Sequence, residues 1–427
     1  MERDFSLSRF VDLVDHVCVD LDLRNTAVGL VDLHRVTPIV LDFDAELRPL
    51  DSERCVLRYE DRVAAGVVEV QARRENPMVR CQFSVLSSGT AYAAPMKYAV
   101  IGAGSWGTTV ASLCAPFVPT TIWARRAEVA REINRTHRNK RYLKGFELSP
   151  ELVATNDLHQ AATDASVIVM GVPSHGYRDV LVQMKDAIAA DVPILSLTKG
   201  IEAETLMRMT EVTMDVLPNH DRSVVGVLTG PNLAREIMEG QPAATVIAME
   251  DQDEARSIQQ VFTSPRLRVY TNPDVIGSES GGALKNVMAV AAGMAAGRGL
   301  GDNTLATLIT RALAEMTRLG VAMGGDVRTF AGLAGLGDLI ATCNSTQSRN
   351  HQVGYGLGQG RKLKDIVEEM SMVAEGVKST RGVLALADRH SVEMPIAEKV
   401  GAVLYDNADV GQALHELMTR ESRSEFE

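Results

Sequence analysis

Residues 98–107 constrain this chain more than any other stretch. Tyr98 to Ile101 is a short apolar run of the kind that forms a buried strand. It is followed at once by Gly102-Ala103-Gly104-Ser105-Trp106-Gly107 and then by the amphipathic segment Thr108 to Leu113. A G-x-G-x-x-G pattern alone says little, but between a strand and a helix it reads as the dinucleotide-binding turn of a βαβ unit. Gly102 permits the tight turn, Gly104 lets the backbone approach a pyrophosphate, and Gly107 lets helix and strand pack closely. The first N–H groups of the helix have no intrahelical acceptor and so favour an anion. A later glycine series, Gly354-x-Gly356-x-Gly358-x-Gly360, has no strand before it and is expected to be a flexible loop.

Around this turn the chain alternates apolar runs with helix-like patterns. The expected buried strands are Tyr98 to Ile101, Thr120 to Trp123, Val167 to Met170, Pro193 to Leu197, Val224 to Leu228 and Ala244 to Ala248. Most are separated by enough residues for a crossover helix, which predicts a parallel sheet covered on both faces. After about Asp274 the pattern becomes helical, over Ile276 to Gly297, Asn303 to Met323 and beyond. The expected fold class is therefore an α/β Rossmann-type doubly wound sheet over residues 96–275, followed by a mostly α-helical C-terminal domain over 276–427.

Residues 1–95 stand apart. They hold eleven arginines and no lysine, whereas all ten lysines lie from Lys97 onward, and Met96 directly precedes the first strand. Strand-like runs at Val36 to Phe43 and Val67 to Ala72 fit a small appended domain. A translation start placed too early, with Met96 the working start, fits equally well, and no role is assigned to this segment.

Charge and cysteine usage narrow the function classes. The formal net charge is -11 and the basic residues form no long run, which argues against a nucleic-acid or anionic-membrane footprint. An anionic ligand would need a local basic pocket. Cys18, Cys55, Cys81, Cys114 and Cys343 show no CxxC pair or metal-ligand spacing, so they read as reduced, mostly buried thiols, and no metal is expected. No stretch approaches the ~18 apolar residues of a spanning helix, and the first residues lack a signal-peptide pattern, so the chain reads as cytoplasmic.

Candidate site residues follow the strands. About twenty residues past the first glycine an acidic side chain usually holds the ribose of NAD. Here the strand ends in Arg125 and Arg126, whose guanidinium forks suit a 2′-phosphate and hence NADP(H). Glu128 keeps NAD(H) open, and two solvated arginines at a helix start remain an alternative. Thr198-Lys199-Gly200 and Gly230-Pro231-Asn232 each follow a strand and bring a lysine, turn N–H groups and an amide to the carboxyl edge of the sheet.

Ser278-Glu279-Ser280-Gly281-Gly282-Ala283-Leu284-Lys285-Asn286 places Lys285 within a small, apolar helical pattern. Burial and a neighbouring cation such as Lys199 disfavour a charged lysine, which makes Lys285 a candidate general base. A snorkelling helix lysine is the alternative. Gly337-Asp338 and Ser348-Arg349-Asn350 add a carboxylate to orient Lys285 or hold a hydroxyl, and a guanidinium to clamp a phosphate. Either of these could equally be a surface charge. Val373-Ala374-Glu375-Gly376 could add cofactor contacts.

Taken together, in this order and spacing, Gly102 to Gly107, Thr198-Lys199-Gly200, Gly230-Pro231-Asn232, Leu284-Lys285-Asn286, Gly335-Leu336-Gly337-Asp338 and Ser348-Arg349-Asn350 resemble bacterial NAD(P)-dependent glycerol-3-phosphate dehydrogenase. The resemblance covers about Met96 to Ala413. It implies interconversion of dihydroxyacetone phosphate and sn-glycerol 3-phosphate with NADP(H) or NAD(H), feeding phospholipid synthesis, and a homodimer through the helical domain. It implies cofactor contacts from Ser105, Trp106, Arg125, Arg126, Lys199, Ala234, Arg349, Val373 and Glu375. Lys285 would be the proton acceptor, and Lys199, Gly230, Asn232, Asp338, Ser348, Arg349 and Asn350 would line the substrate. At Asn232 relatives often carry a hydroxyl residue. Two rival readings are a β-hydroxyacid dehydrogenase on the same architecture, which substrate profiling would separate, and a non-catalytic NADPH-binding sensor, which would tolerate loss of Lys285.

Overall fold

The computed structural model describes residues 96–370, 374–422 and 424, together with the backbone of six strands before residue 87. Internal contacts divide the chain into two units, Met1–Ala94 and Pro95–Glu427. The first holds two antiparallel three-stranded sheets. One is β1 (Val19–Asp20), β2 (Val28–Val31) and β3 (Val40–Asp42), in that order; the other is β4 (Arg54–Asp61), β5 (Ala64–Glu75) and β6 (Met78–Leu86), with β5 central. The run expected at Val67 to Ala72 lies within β5. That at Val36 to Phe43 overlaps β3, while residues 36–39 and 43 lie outside the described residues.

The second unit is built on an eight-stranded sheet. Its strands are β7 (Tyr98–Ile101), β8 (Thr120–Trp123), β9 (Val153–Thr155), β10 (Val167–Met170), β11 (Ile194–Ser196), β12 (Val225–Thr229), β13 (Ala243–Ala248) and β14 (Leu267–Asn272). They lie in the order β9-β8-β7-β10-β11-β12-β13-β14. The order reverses at β7, where consecutive crossovers leave on opposite sides and open a crevice beyond the carboxyl ends of β7 and β10. Strands β7, β10, β11 and β12 are buried along their whole length, which is why continuous apolar runs betray them.

The sheet departs from expectation in three places. Strand β13 runs antiparallel to β12. The connection between them holds only the five-residue helix Ala234–Met238, about 7.5 Å long, which is too short to carry the chain back along the strand for a parallel return. Strands β9 and β14 were not expected. β9 is three residues long, and β14 alternates buried and exposed residues at its start, as an edge strand does.

Helix α1 (Ser105–Cys114) follows β7 directly, and α2 (Ala127–Thr136) follows β8. The last third is helical, with α3 (Val275–Gly297), α4 (Asp302–Ala322), α5 (Asp338–Asn344), α6 (Arg349–Gly358) and α7 (Glu375–Arg389) around α3, and Pro395–Tyr405 and Val410–Met418 beyond. α3 is buried almost throughout, so its small and apolar residues face packing on every side.

The glycine series from Gly354 is not a loop. Gly354, Gly356 and Gly358 lie in α6, and only Gly360, at φ +80°, lies in the turn beyond it. A Cβ on Gly354 would meet Val290 O at 2.0 Å, and one on Gly358 would meet Met294 O at 2.4 Å. On the facing helix, a Cβ on Gly293 would meet His351 O at 2.1 Å and one on Gly297 would meet Tyr355 O at 2.2 Å. Each helix thus bares its backbone to the other through glycines four residues apart. The packing gained outweighs the roughly 1 kcal/mol that each glycine costs a helix.

Candidate active site

The glycine turn is shaped by what each residue would collide with. Gly102 has φ +125°, and a Cβ there would lie 2.6 Å from Gly171 O. A Cβ on Gly107 would lie 2.1 Å from Gly102 O. Gly104 differs, since nothing stands within 4 Å of a Cβ there, so this backbone faces open space at the start of α1. Asn139 secures the turn by donating to Ala103 O at 3.0 Å and Thr108 Oγ1 at 2.9 Å, while Ser105 Oγ bonds Tyr142 O. Trp106 and Ala234 pack on the same apolar cluster, and the buried Trp106 Nε1 has no partner. Arg125 and Arg126 are exposed at the carboxyl end of β8, with Arg126 Nη1 3.7 Å from Glu128 Oε1. An open glycine backbone at a helix N-terminus with two guanidinium groups at the next strand end fits a nicotinamide dinucleotide.

Loops after β11 and β12 meet the helical layer at two lysines and an aspartate. Lys199, just past β11, donates to Gly230 O at 2.9 Å and to Asp338 Oδ2 at 2.6 Å. Lys285, in the middle of α3, lies 2.7 Å from Asp338 Oδ1 and also donates to Thr342 Oγ1. The Asp338 side chain is 2% exposed and that of Lys285 7%. One carboxylate thus holds two lysine side chains. Burial, reinforced by the Lys285 charge, pushes Lys199 down to about 8, against the pull of Asp338. The Lys199 stem runs past Gly282, where a Cβ would lie 3.0 Å from Thr229 Oγ1 and 3.4 Å from Lys199 Cγ.

A chain of amides joins the layers. Asn286 Nδ2 donates to Lys199 O at 3.0 Å, Asn350 Nδ2 donates to Asn286 Oδ1 at 2.9 Å, and Gly376 N donates to Asn350 Oδ1 at 2.9 Å. Beside it, Ser174 Oγ donates to Glu375 Oε2 at 2.8 Å, close against Gly200. Ser348 caps α6 by accepting from His351 N, and Arg349, the first residue of that helix, is exposed. Asn232 Nδ2 bonds Thr245 Oγ1 at 2.9 Å, leaving its buried Oδ1 without a partner, as is the buried Thr229 Oγ1.

The structure therefore brings together Lys199, Gly230, Lys285 and Asp338 directly, and Asn350 through the amide chain, with Glu375 beside that chain on Ser174. Gly102, Gly104, Ser105, Trp106, Gly107 and Ala234 form a second group at the turn. Val373 lies outside the described residues. Sequence reasoning missed the parts played by Thr342, Asn139 and Ser174. Only Thr342 left a signal, since it stands four residues after Asp338 and so on the same helix face. The described cysteines, Cys114 and Cys343, are free and buried. Among the described residues, no helix is long and apolar enough to cross a membrane.

Comparison with known proteins bears on this arrangement. A family model for the NAD-dependent glycerol-3-phosphate dehydrogenase N-terminus matches residues 97–255, and its C-terminal counterpart matches 274–415. A glycerol-3-phosphate dehydrogenase (NAD(P)+) of Sphingopyxis alaskensis is 55% identical over 305 residues, covering 71% of this chain and 91% of that protein. One from Mycobacterium bovis is 51% identical over 323 residues, covering 75% and 94%. The crystal structure of glycerol-3-phosphate dehydrogenase from Coxiella burnetii superposes with a TM-score of 0.73 at 35% identity, covering 76% of this chain and 99% of that one.

Proposed function

The chain belongs to the NAD-dependent glycerol-3-phosphate dehydrogenase family, and from that premise we infer that it interconverts dihydroxyacetone phosphate and sn-glycerol 3-phosphate with NADP(H) or NAD(H), Lys285 moving the proton. The observation that carries the role of Lys285 is the single buried carboxylate, Asp338, holding Lys285 and Lys199 from two different layers.

A bound nicotinamide dinucleotide supplies or accepts the hydride. Gly102, Gly104 and Gly107 shape the turn for its pyrophosphate, with Ser105, Trp106 and Ala234 alongside. Arg125 and Arg126 favour the 2′-phosphate of NADP(H), with Glu128 leaving NAD(H) usable. In oxidation Lys285 takes the proton of the secondary alcohol as the carbinol hydride leaves. In reduction its ammonium returns that proton to the forming alkoxide. Lys199 draws the anionic substrate in, Arg349 clamps its phosphate, and Gly230, Asn232, Ser348 and Asn350 complete the lining; Glu375 and Val373 serve the cofactor side. Asp338 keeps both lysines pointed at one place, which supplies orientation rather than chemistry. The same reading makes the protein a cytoplasmic homodimer, joined through its helical layer, that supplies glycerol 3-phosphate for phospholipid synthesis.

The test is initial-rate oxidation of NADPH and of NADH with dihydroxyacetone phosphate, on wild type and on Lys285→Ala. The expected result is turnover in wild type and a loss of at least ~10²-fold in the variant. Wild-type protein that binds NADPH without turning over dihydroxyacetone phosphate would sink the assignment.

A further inference from the structure

Lys199 and Lys285 reach Asp338 from different parts of the chain, so their separation depends on whatever joins those parts. Two polar contacts do so from one face of α3, beside the packing of Ile201 and Leu206 on the apolar core of the helical layer. Glu279 and Asn286 stand seven residues apart, which brings a helix back to within about 20° of the same direction. Asn286 holds the carbonyl of Lys199 at 3.0 Å. Glu279 holds the far end of the same segment. Its Oε2 accepts from Arg208 Nη1 at 2.9 Å and Thr210 Oγ1 at 2.6 Å, and its Oε1 from Thr210 N at 3.0 Å.

The segment between these anchors is folded back on itself. Ile201 and Arg208 form an antiparallel bridge, and Glu202 N donates to Met207 O at 2.9 Å. Arg178 grips Glu202 from outside through Nε at 2.9 Å and Nη2 at 2.8 Å. A displacement at Arg208 is therefore passed to Lys199 rather than absorbed in a slack loop.

The Arg208 side chain is 4% exposed and that of Glu279 1%. A pair so buried is a poor source of stability, because desolvating two ions cancels most of their attraction; what it retains is a fixed geometry. Arg208 is further held by Glu211, which accepts from Arg208 Nη2 at 3.0 Å and from Arg208 N at 2.8 Å.

We propose that Arg208 and Glu279 are positioning residues. Their ion pair presses the hairpin from Ile201 to Arg208 against α3, so that the amino groups of Lys199 and Lys285 both stay on the Asp338 carboxylate. The proposal rests on the roles given above to the two lysines.

The experiment uses the full chain with the double substitution Arg208→Met/Glu279→Leu, and with Arg208→Lys. The apolar pair removes both charges together, which buried ion pairs tolerate with little or no loss of stability, while Thr210 N and Oγ1 lose their Glu279 acceptor at some cost in stability. Melting temperature, NADPH affinity by fluorescence quenching, and kcat and KM for dihydroxyacetone phosphate are measured together. A positioning role predicts melting lowered by no more than the roughly 2–6 °C that the lost Thr210 bonds explain, NADPH affinity within twofold, kcat/KM lowered at least fivefold, and partial recovery in Arg208→Lys. A folded double variant that loses less than fivefold overturns it, since the pair would then be structural only. If the double variant does not fold, Glu279→Gln decides on the same fivefold criterion. Absence of wild-type turnover, or an unimpaired Lys285→Ala, would instead remove the functional reading on which the proposal stands.

Discussion

Asp338→Asn tests the centre of the site, because asparagine keeps the shape of the side chain and removes the charge that two lysines share. Asp338 lies 2.6 Å from one ammonium and 2.7 Å from the other. At an effective dielectric of about 20, each contact carries about 6 kcal/mol of gross attraction, most of it cancelled by desolvation. Removing one partner of a buried pair costs about 3–5 kcal/mol net, and the retained amide acceptor puts this case near ~3. At about 2 °C per kcal/mol for a unit of this size, the melting temperature should fall by about 6 °C.

The activity should change with the charge. Burial and Lys285 already bring Lys199 down to about 8, and Asp338 is what opposes them. Without the carboxylate the proton affinity of Lys199 falls further, which lowers its protonated fraction near neutral pH. The assay is kcat/KM for dihydroxyacetone phosphate between about pH 6 and 9, alongside thermal melts. The expected result is at least a tenfold loss at neutral pH, partly recovered at the acid end. A variant that melts with the wild type and stays within threefold of its rate at every pH would refute the claim that this carboxylate holds the two lysines.

The glycine turn allows a contrast between neighbours. Gly104→Val meets nothing within 4 Å of its Cβ, so it should leave melting unchanged while weakening NADPH binding at least tenfold; Gly107→Ala, whose Cβ falls 2.1 Å from Gly102 O, should destabilise by about 1–3 kcal/mol. Equal effects on melting would refute that division. Elsewhere, burial pushes the Glu315 carboxyl up to about 7 from 4.5, although it accepts from Ile396 N at 2.8 Å and Ala397 N at 3.4 Å. Between those values the folded chain keeps a proton that the unfolded chain has released, so stability falls by about 3 kcal/mol as pH rises from about 4.5 through about 7. Urea unfolding at about pH 5 and pH 8 should show this fall reduced in Glu315→Gln, and an identical pH dependence in both proteins would dispose of it.

The parts of the fold legible in the sequence are those where local pattern and final environment coincide. Tyr98–Ile101 and Val167–Met170 read as strands because a strand buried on both faces needs a continuous apolar run, and their ends fall where the runs end. Val153–Thr155 and Leu267–Asn272 escaped because an edge strand needs no such run. The misreading of Gly354 to Gly358 has a similar origin. Glycine disfavours a helix by its own backbone freedom, and only the facing backbone at Val290 and Met294 makes its missing side chain an advantage.

The glycine turn, the alternation that builds the sheet, and the presence of Lys199, Lys285 and Asp338 among residues otherwise small or apolar are all legible along the chain. These are local facts, fixed by steric limits on a few successive residues or by the cost of a charge in an apolar helix. Packing alone makes Lys199 and Lys285 meet on one carboxylate, lets Asn286 and Asn350 tie Lys199 to Gly376, and buries Arg208 against Glu279. Those contacts join residues 26 to 139 positions apart. Their geometry is set by how α3 packs against the sheet and its neighbouring helices, which no window of sequence contains.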